Sequence, residues 1–276
     1  MSLLTFLQQP DVRDRFNQAF PKPKLTPTPP LLAPPLTKNY ALVGRAFDYL
    51  LRFQIKALNP HAIEQGWVAQ NALHFLKCNA QTRLYDQAYL MITEAKEHYA
   101  DFLKTQTVTD TLIVSALRLA KIEAIYRSKK IDPNLDQIAD DDIVDLKTLL
   151  AHVNVKQFTS PKPILLNPTF ELASQVVGGA DADLVLGDAL IDIKTVKEFS
   201  LERRDFNQIL GYYVLSKLAG IDNAPTGHEL KRLGIYFSRY AYLYQFDVSD
   251  VIEEETFPQF LDWFKRRCDP SGLLDP

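Results

Sequence analysis

Asp181, Asp183, Asp192 and Lys194 are the residues whose types and spacing could do chemistry. Positions 178–195 read Gly-Gly-Ala-Asp-Ala-Asp-Leu-Val-Leu-Gly-Asp-Ala-Leu-Ile-Asp-Ile-Lys-Thr. Two runs with period two, 183–186 and 189–194, flank Gly187-Asp188, a pair suited to a two-residue type II′ turn. With that loop Leu186 faces Ala189, which puts Asp183 opposite Asp192 and Asp181 opposite Lys194. Opposed residues share a face, with Cβ atoms about 4.5–5.5 Å apart. The other face carries Leu184, Leu186, Ala189, Ile191 and Ile193, an apolar set ready for a core. Neighbouring carboxylates on a rigid sheet repel unless a cation sits between them. A hard ion with oxygen ligands, Mg²⁺ or Mn²⁺, suits Asp183 and Asp192.

Downstream, Arg204, Gln208 and Tyr212 recur every four residues and line one helical stripe. Gln208 could hold a substrate or a water, and Tyr212 could touch a base or a phosphate; a plain polar stripe beside Ile209, Leu210 and Tyr213 is the other reading. Asp181 reads either as an ion-pair partner of Lys194 or as a further ligand. Gly178 and Gly179 read as a turn or bulge where substrate approaches closely. Lys194, Lys197, Arg203 and Arg204, followed by Lys231, Arg232 and Arg239, read as a phosphate-facing edge, against the alternative of a solvated helix end.

The arrangement resembles the PD-(D/E)XK, or restriction-endonuclease-like, nuclease superfamily. Asp183 stands for the acid of the first strand, and Asp192-Ile193-Lys194 for the acid-x-Lys of the second. Gln208-Ile209-Leu210-Gly211-Tyr212 looks like the Gln-x-x-x-Tyr element of the RecB-like exonuclease branch. The resemblance covers roughly residues 165–245. It implies an αβββαβ core, a carbonyl of Ile193 completing the metal shell, and a Lys194 that orients or deprotonates the attacking water. Most members carry Glu where this chain has Asp192. An acid from an upstream helix often completes such sites, and Glu123 and Glu171 are the candidates. His152 is the one possible counterpart of the histidine that precedes the strands in many RecB-like enzymes. The implied activity is metal-dependent hydrolysis of DNA, in genome defence or DNA processing, with RNA not excluded. Two other readings stay open: a nuclease-fold binding or assembly module without activity, and a nucleotidyl- or glycosyltransferase using Asp181-Ala182-Asp183 as a D-x-D metal site.

The remaining composition narrows the class. With 276 residues, 46% hydrophobic and 24% charged, the chain has the make-up of an ordinary globular protein. No apolar run of about 18 residues could span a bilayer, and no secretory signal is visible, so a cytoplasmic location is expected. Cys78 and Cys268 are too few for a disulfide framework or a Cys-ligated cluster, unlike the iron–sulfur-bearing exonucleases of the branch. No two of the five histidines have metal-ligand spacing. The net charge of −3 argues weakly against indiscriminate nucleic-acid binding.

The elements that must position these residues follow from periodicity. Residues 1–39 read as a short helix over 1–20, anchored by Leu4, Phe6, Leu7, Phe16 and Phe20, then a proline-dense strap over 21–36. Residues 40–160 read as a helical region, with Val43, Phe47, Leu50 and Leu51 opening its first helix. Residues 161–276 read as the α/β core: strands over 164–177, 181–186 and 189–195, a helix from a Ser200 cap to about 218, strands over 233–238 and 242–248, and a last helix after Thr256.

Overall fold

The structure, a computed structural model, describes residues 2–274. Its centre is a mixed six-stranded sheet: β1 (Ile63–Glu64), β2 (Ile164–Leu166), β3 (Leu184–Leu186), β4 (Ala189–Lys194), β5 (Arg232–Phe237) and β6 (Tyr242–Asp247), in that spatial order. β2, β3 and β4 are antiparallel neighbours, β4 and β5 are parallel, and β6 returns antiparallel to β5. The short β1, which periodicity does not reveal, adds parallel to β2.

Both faces of the sheet are covered, which explains why β3 and β5 read as near-continuous apolar runs. One face packs against the helical region: α3 (Tyr40–Leu58), α4 (Ala69–Cys78), α5 (Thr82–Thr105), α6 (Asp110–Ser128) and α7 (Asp140–His152). Leu184, Ala189 and Ile191 meet Val43, Phe47 and Leu50 there. The other face carries α9 (Arg203–Ala219), flanked by α1 (Leu3–Leu7), α2 (Pro10–Ala19) and α10 (Phe257–Cys268), so Val185, Leu190 and Ile235 meet Phe206, Ile209 and Leu210. Gly211 lets α1 lie close on α9, since a Cβ there would stand 2.9 Å from Leu7 Cδ1. No helix among the described residues is long and apolar enough to cross a membrane.

The hairpin has the register that the sequence indicates, with Leu186 opposite Ala189 and Leu184 opposite Ile191. Gly187 alone of the turn pair has a positive φ, +62°, as a type II′ turn requires. Asp188 holds the turn through ion pairs with Lys162 at 2.8 Å and Arg232 at 2.6 Å. Hydrogen bonds from Lys162 and Arg232 keep its pKa at about 2. A carboxylate with a folded pKa below its unfolded value of about 3.9 adds stability that is present above that value. That stability is lost as the pH falls through about 2. Asp188→Asn should therefore lower the melting temperature at neutral pH and leave it unchanged at the acid end of that window. Solvent around the two partners limits the cost to about 1 kcal/mol.

Several expected elements differ. The strand over 164–177 stops at Leu166: Asn167 has φ +56°, Pro168 has no amide donor, and the chain turns into α8 (Glu171–Val176). Gly178 and Gly179, at φ +80° and +119°, close that helix with amides donating to Gln175 and Ser174 carbonyls. The expected strand from 181 starts only at Leu184, with Asp181 in an isolated bridge to Thr169. Residues 1–20 form two helices because Pro10 opens a second one at its first position, and Leu4 is exposed instead of anchoring. α9 starts at Arg203 with Glu202 as its cap residue, whereas Ser200 Oγ donates to Glu202 Oε1 at 2.8 Å.

The proline-dense segment is a strap along its own chain. Leu32 and Ala33 amides both donate to the Arg239 carbonyl at 3.0 Å, and Lys22 Nζ donates to the Leu201 carbonyl. Arg239 is fully buried and forms a two-bond pair with Asp145 of α7, at 2.8 and 2.9 Å. Removing one partner of such a pair strands the other charge in the core. Asp145→Ala should cost about 3–5 kcal/mol in urea unfolding; a loss under about 1 kcal/mol would mean the guanidinium finds other acceptors.

Candidate active site

The carboxyl end of β4 and the chain entering β3 bring the acids together. Asp183 lies just ahead of β3, so its backbone carbonyl accepts from Asn167 N at 2.9 Å. Its side chain turns to β4, where Oδ2 accepts from Ile193 N at 2.6 Å. Asp192 and Lys194 alternate with Ile193 on β4 and share the face turned to α9. Lys194 Nζ lies 2.9 Å from Asp192 Oδ2 and 3.5 Å from Asp205 Oδ1, and donates to Gln208 Oε1 at 2.9 Å. Gln208 Nε2 in turn donates to the Tyr212 hydroxyl at 2.9 Å. Tyr212 stacks on Phe170 with centroids 5.6 Å apart. The structure thus joins Asp192, Lys194, Gln208 and Tyr212 in one chain of contacts, with Asp183 beside it.

Electrostatics single out the acids. Burial first, then the charges of Asp192 and Asp48, push the Asp183 carboxyl well above its ordinary range. Burial also raises Asp192, and the nearby Lys194 pulls it back only in part. Asp192 Oδ2 is buried and receives no well-directed hydrogen bond, although Lys194 Nζ is close. Burial works against the Lys194 charge, but Asp192 and Asp205 outweigh it and hold the amine above the usual lysine range. Tyr212 stays protonated, because burial and the three acids Asp181, Asp192 and Asp183 raise it well above the usual phenol value.

The acid that approaches from a helix is neither Glu123 nor Glu171. It is Asp48 of α3, whose charge acts directly on Asp183. Gly44, one turn earlier, lies against Thr195 just after β4, where a Cβ would make ordinary van der Waals contact at 3.5 Å from Thr195 Cβ. Asp48 pairs with Arg52 at 2.5 Å, and burial raises its pKa. Glu123 is buried but accepts from the Tyr49 hydroxyl at 2.8 Å and pairs with Arg127 at 2.6 Å. Glu171 is exposed and its nearest charge is Asp222. His152 ends α7 in solvent.

Asp181 does not face Lys194. It pairs with Arg127 of α6 at 2.6 Å, because the chain ahead of Leu184 pairs with residues 167–169 and has left β4. The basic edge is also thinner than expected. Arg203 caps the end of α2, donating to Phe16 and Phe20 carbonyls and to Asn17 Oδ1. Arg232 holds Asp188, and Arg239 is in the core. Lys197 and Arg204 remain exposed near the site. Arg204 therefore begins the stripe in solvent, while Gln208 and Tyr212 are buried.

Among the described residues, no group of three or more His, Cys, Asp or Glu side chains is arranged to hold a metal ion. A cation here would rest on the two carboxylates and on backbone or water oxygens, a set that suits a hard divalent ion. The raised pKa of Asp183, driven by burial and by the neighbouring Asp192 charge, fits such an occupant. Comparison with protein-family models, with curated proteins and with solved structures finds no match to this chain.

Proposed function

We propose that the protein is a divalent-metal-dependent nuclease of the restriction-endonuclease-like kind, hydrolysing DNA phosphodiester bonds. The observation that carries the reading is the constellation itself: Asp183 binds the Ile193 amide, between Asp192 and Lys194 on β4, and Lys194 lies beside Asp192 and is tied to Gln208. The order of strands supports it. β2, β3 and β4 form an antiparallel meander, α9 crosses over, and β5 adds parallel to β4, an order compatible with the αβββαβ core that the resemblance implies.

Asp183 and Asp192 would hold Mg²⁺ or Mn²⁺, with Asp48 adding negative charge from the helical side. The ion, when bound, lowers the pKa of water and polarises the phosphoryl oxygen. Lys194 keeps its proton, so its part is to orient the attacking water and offset charge building on the phosphate, with no proton accepted by its amine. Gln208 holds Lys194 in place from α9, and Tyr212 fixes the Gln208 amide. Asp181, bound to Arg127, is turned away from this work, which counts against a D-x-D transferase.

The test is incubation of the protein with linear, circular and single-stranded DNA, each with Mg²⁺, Mn²⁺ or EDTA. Cleavage of any form that stops in EDTA supports the reading. No cleavage with either metal, together with retained DNA binding, would favour a binding module built on the same fold.

A further inference from the structure

We infer that the groove between the first turns of α3 and the second half of α6 binds single-stranded DNA through its phosphates and bases. The groove has a volume of about 590 Å³. Lys38 and Lys130 stand on its rim, exposed and paired with no acid among the described residues. Lys121 is also there, held by the Asn134 carbonyl at 2.7 Å and by Asp132 at 3.7 Å. A chain with a net charge of −3 thus gathers four cations against one acid in one groove. Repeated phosphates are the ligand such a row recognises.

The fourth cation is Arg45. Its Nε is buried with no hydrogen-bond partner, and Arg45 forms no ion pair among the described residues. Arg45 lines the groove half-buried, so a phosphate there would meet its positive charge. Arg45 precedes Asp48 by one helical turn, so the inner end of the groove adjoins the acids of the proposed active site. At about 1.5 Å per residue, Tyr40 lies about 12 Å along α3 from Asp48.

The groove also offers surfaces for bases. Ala124 of α6 gives the groove an apolar wall, and Tyr40 is 53% exposed beside it. Bases of a single strand can stack on such a ring, whereas a duplex keeps its bases stacked on each other and shows mainly phosphate outward. This selects a single strand over a duplex. Delivery of that strand to Asp183 and Asp192 rests on the nuclease reading; binding in the groove does not.

The experiment is fluorescence anisotropy of the full chain with labelled oligo-dT and with a hairpin duplex, in EDTA, across several salt concentrations. The wild type should bind oligo-dT more tightly than the duplex. Tyr40→Ala should weaken oligo-dT binding about 10-fold, the effect of one lost stacked base, and leave the duplex unchanged. Lys38→Ala with Lys130→Ala should flatten the slope of log affinity against log salt by about 1.4, at 0.7 per contact. Both sites are exposed, and unchanged circular dichroism shows that the variants fold. Equal affinity for duplex and single strand, or variants that bind oligo-dT like the wild type, would overturn the groove. A parallel Mg²⁺ cleavage assay separates the two claims. Cleavage with unaltered Tyr40→Ala binding leaves the nuclease and removes the groove. Groove-dependent binding without cleavage keeps the groove and removes the nuclease.

Discussion

Asp183→Asn and Asp192→Asn should each abolish divalent-metal-dependent DNA cleavage while leaving the protein folded. Both carboxylates are needed to hold a cation that has no third acidic side chain from the sheet, so losing either should also remove Mn²⁺ binding as read by electron paramagnetic resonance. Stability should move the other way for Asp183. Its carboxyl is raised by burial and by Asp192 and Asp48, so the folded state takes up a proton more readily than the unfolded one. Stability then falls as the pH rises above the unfolded value of about 3.9 towards the folded pKa, and the penalty is complete at higher pH. Removing that charge should leave the melting temperature of the metal-free protein equal or higher at neutral pH. Asp192→Asn keeps Lys194 paired through Asp205 and Gln208, so its melting temperature should change little. Full cleavage in both variants would remove the assigned ligands.

Lys194→Ala should lower turnover by about 10²–10⁴-fold, the range typical of a lost acid–base or charge-stabilising group. Because both carboxylates stay, Mn²⁺ binding should persist, which separates this variant from the two aspartate substitutions. DNA affinity should fall much less than turnover, since Lys197 and Arg204 remain exposed near the site. A lysine acting as general base would give a rate that rises with pH through a depressed amine pKa. The Asp192 and Asp205 charges hold this amine protonated instead, so wild-type turnover should show no such step from Lys194 near neutral pH. A Lys194→Ala protein with wild-type turnover would leave the residue a structural tie between β4 and α9.

The hairpin was legible because its information is local. Gly187-Asp188 specifies the turn, period two specifies the faces, and the Leu186–Ala189 and Leu184–Ile191 pairs follow by counting. The four-residue spacing of Gln208 and Tyr212 likewise places both on the side of α9 that meets Lys194. The strand over 164–177 misled because its apolar residues suit either a strand or a helix, and Asn167-Pro168 breaks it after three residues. Asp181 was misplaced by extending the register past the point where the chain turns to pair with residues 167–169.

Charges were the least legible, because partners far apart in sequence decide where each one sits. Arg239 resembles a surface residue until Asp145 of α7 and the Ala33 carbonyl receive it in the core. Arg203 resembles a phosphate contact until the end of α2 takes its donors. Asp48 left one trace: an acid four residues before Arg52, amid buried Phe47, Tyr49, Leu50 and Leu51, and one turn after Gly44. An ion pair on such an apolar helix signals a polar destination across the fold. Only the packing of α3 against Thr195 reveals that the destination is the end of β4, where Asp48 bears on Asp183.

The central claim is tested most directly by the single-turnover cleavage rate of end-labelled DNA, measured for the wild type in Mg²⁺ and in EDTA beside Asp192→Asn in Mg²⁺. Product is expected only from the wild type in Mg²⁺. Absence of product from the wild type with Mg²⁺ and Mn²⁺ alike, or equal product from Asp192→Asn, would contradict it.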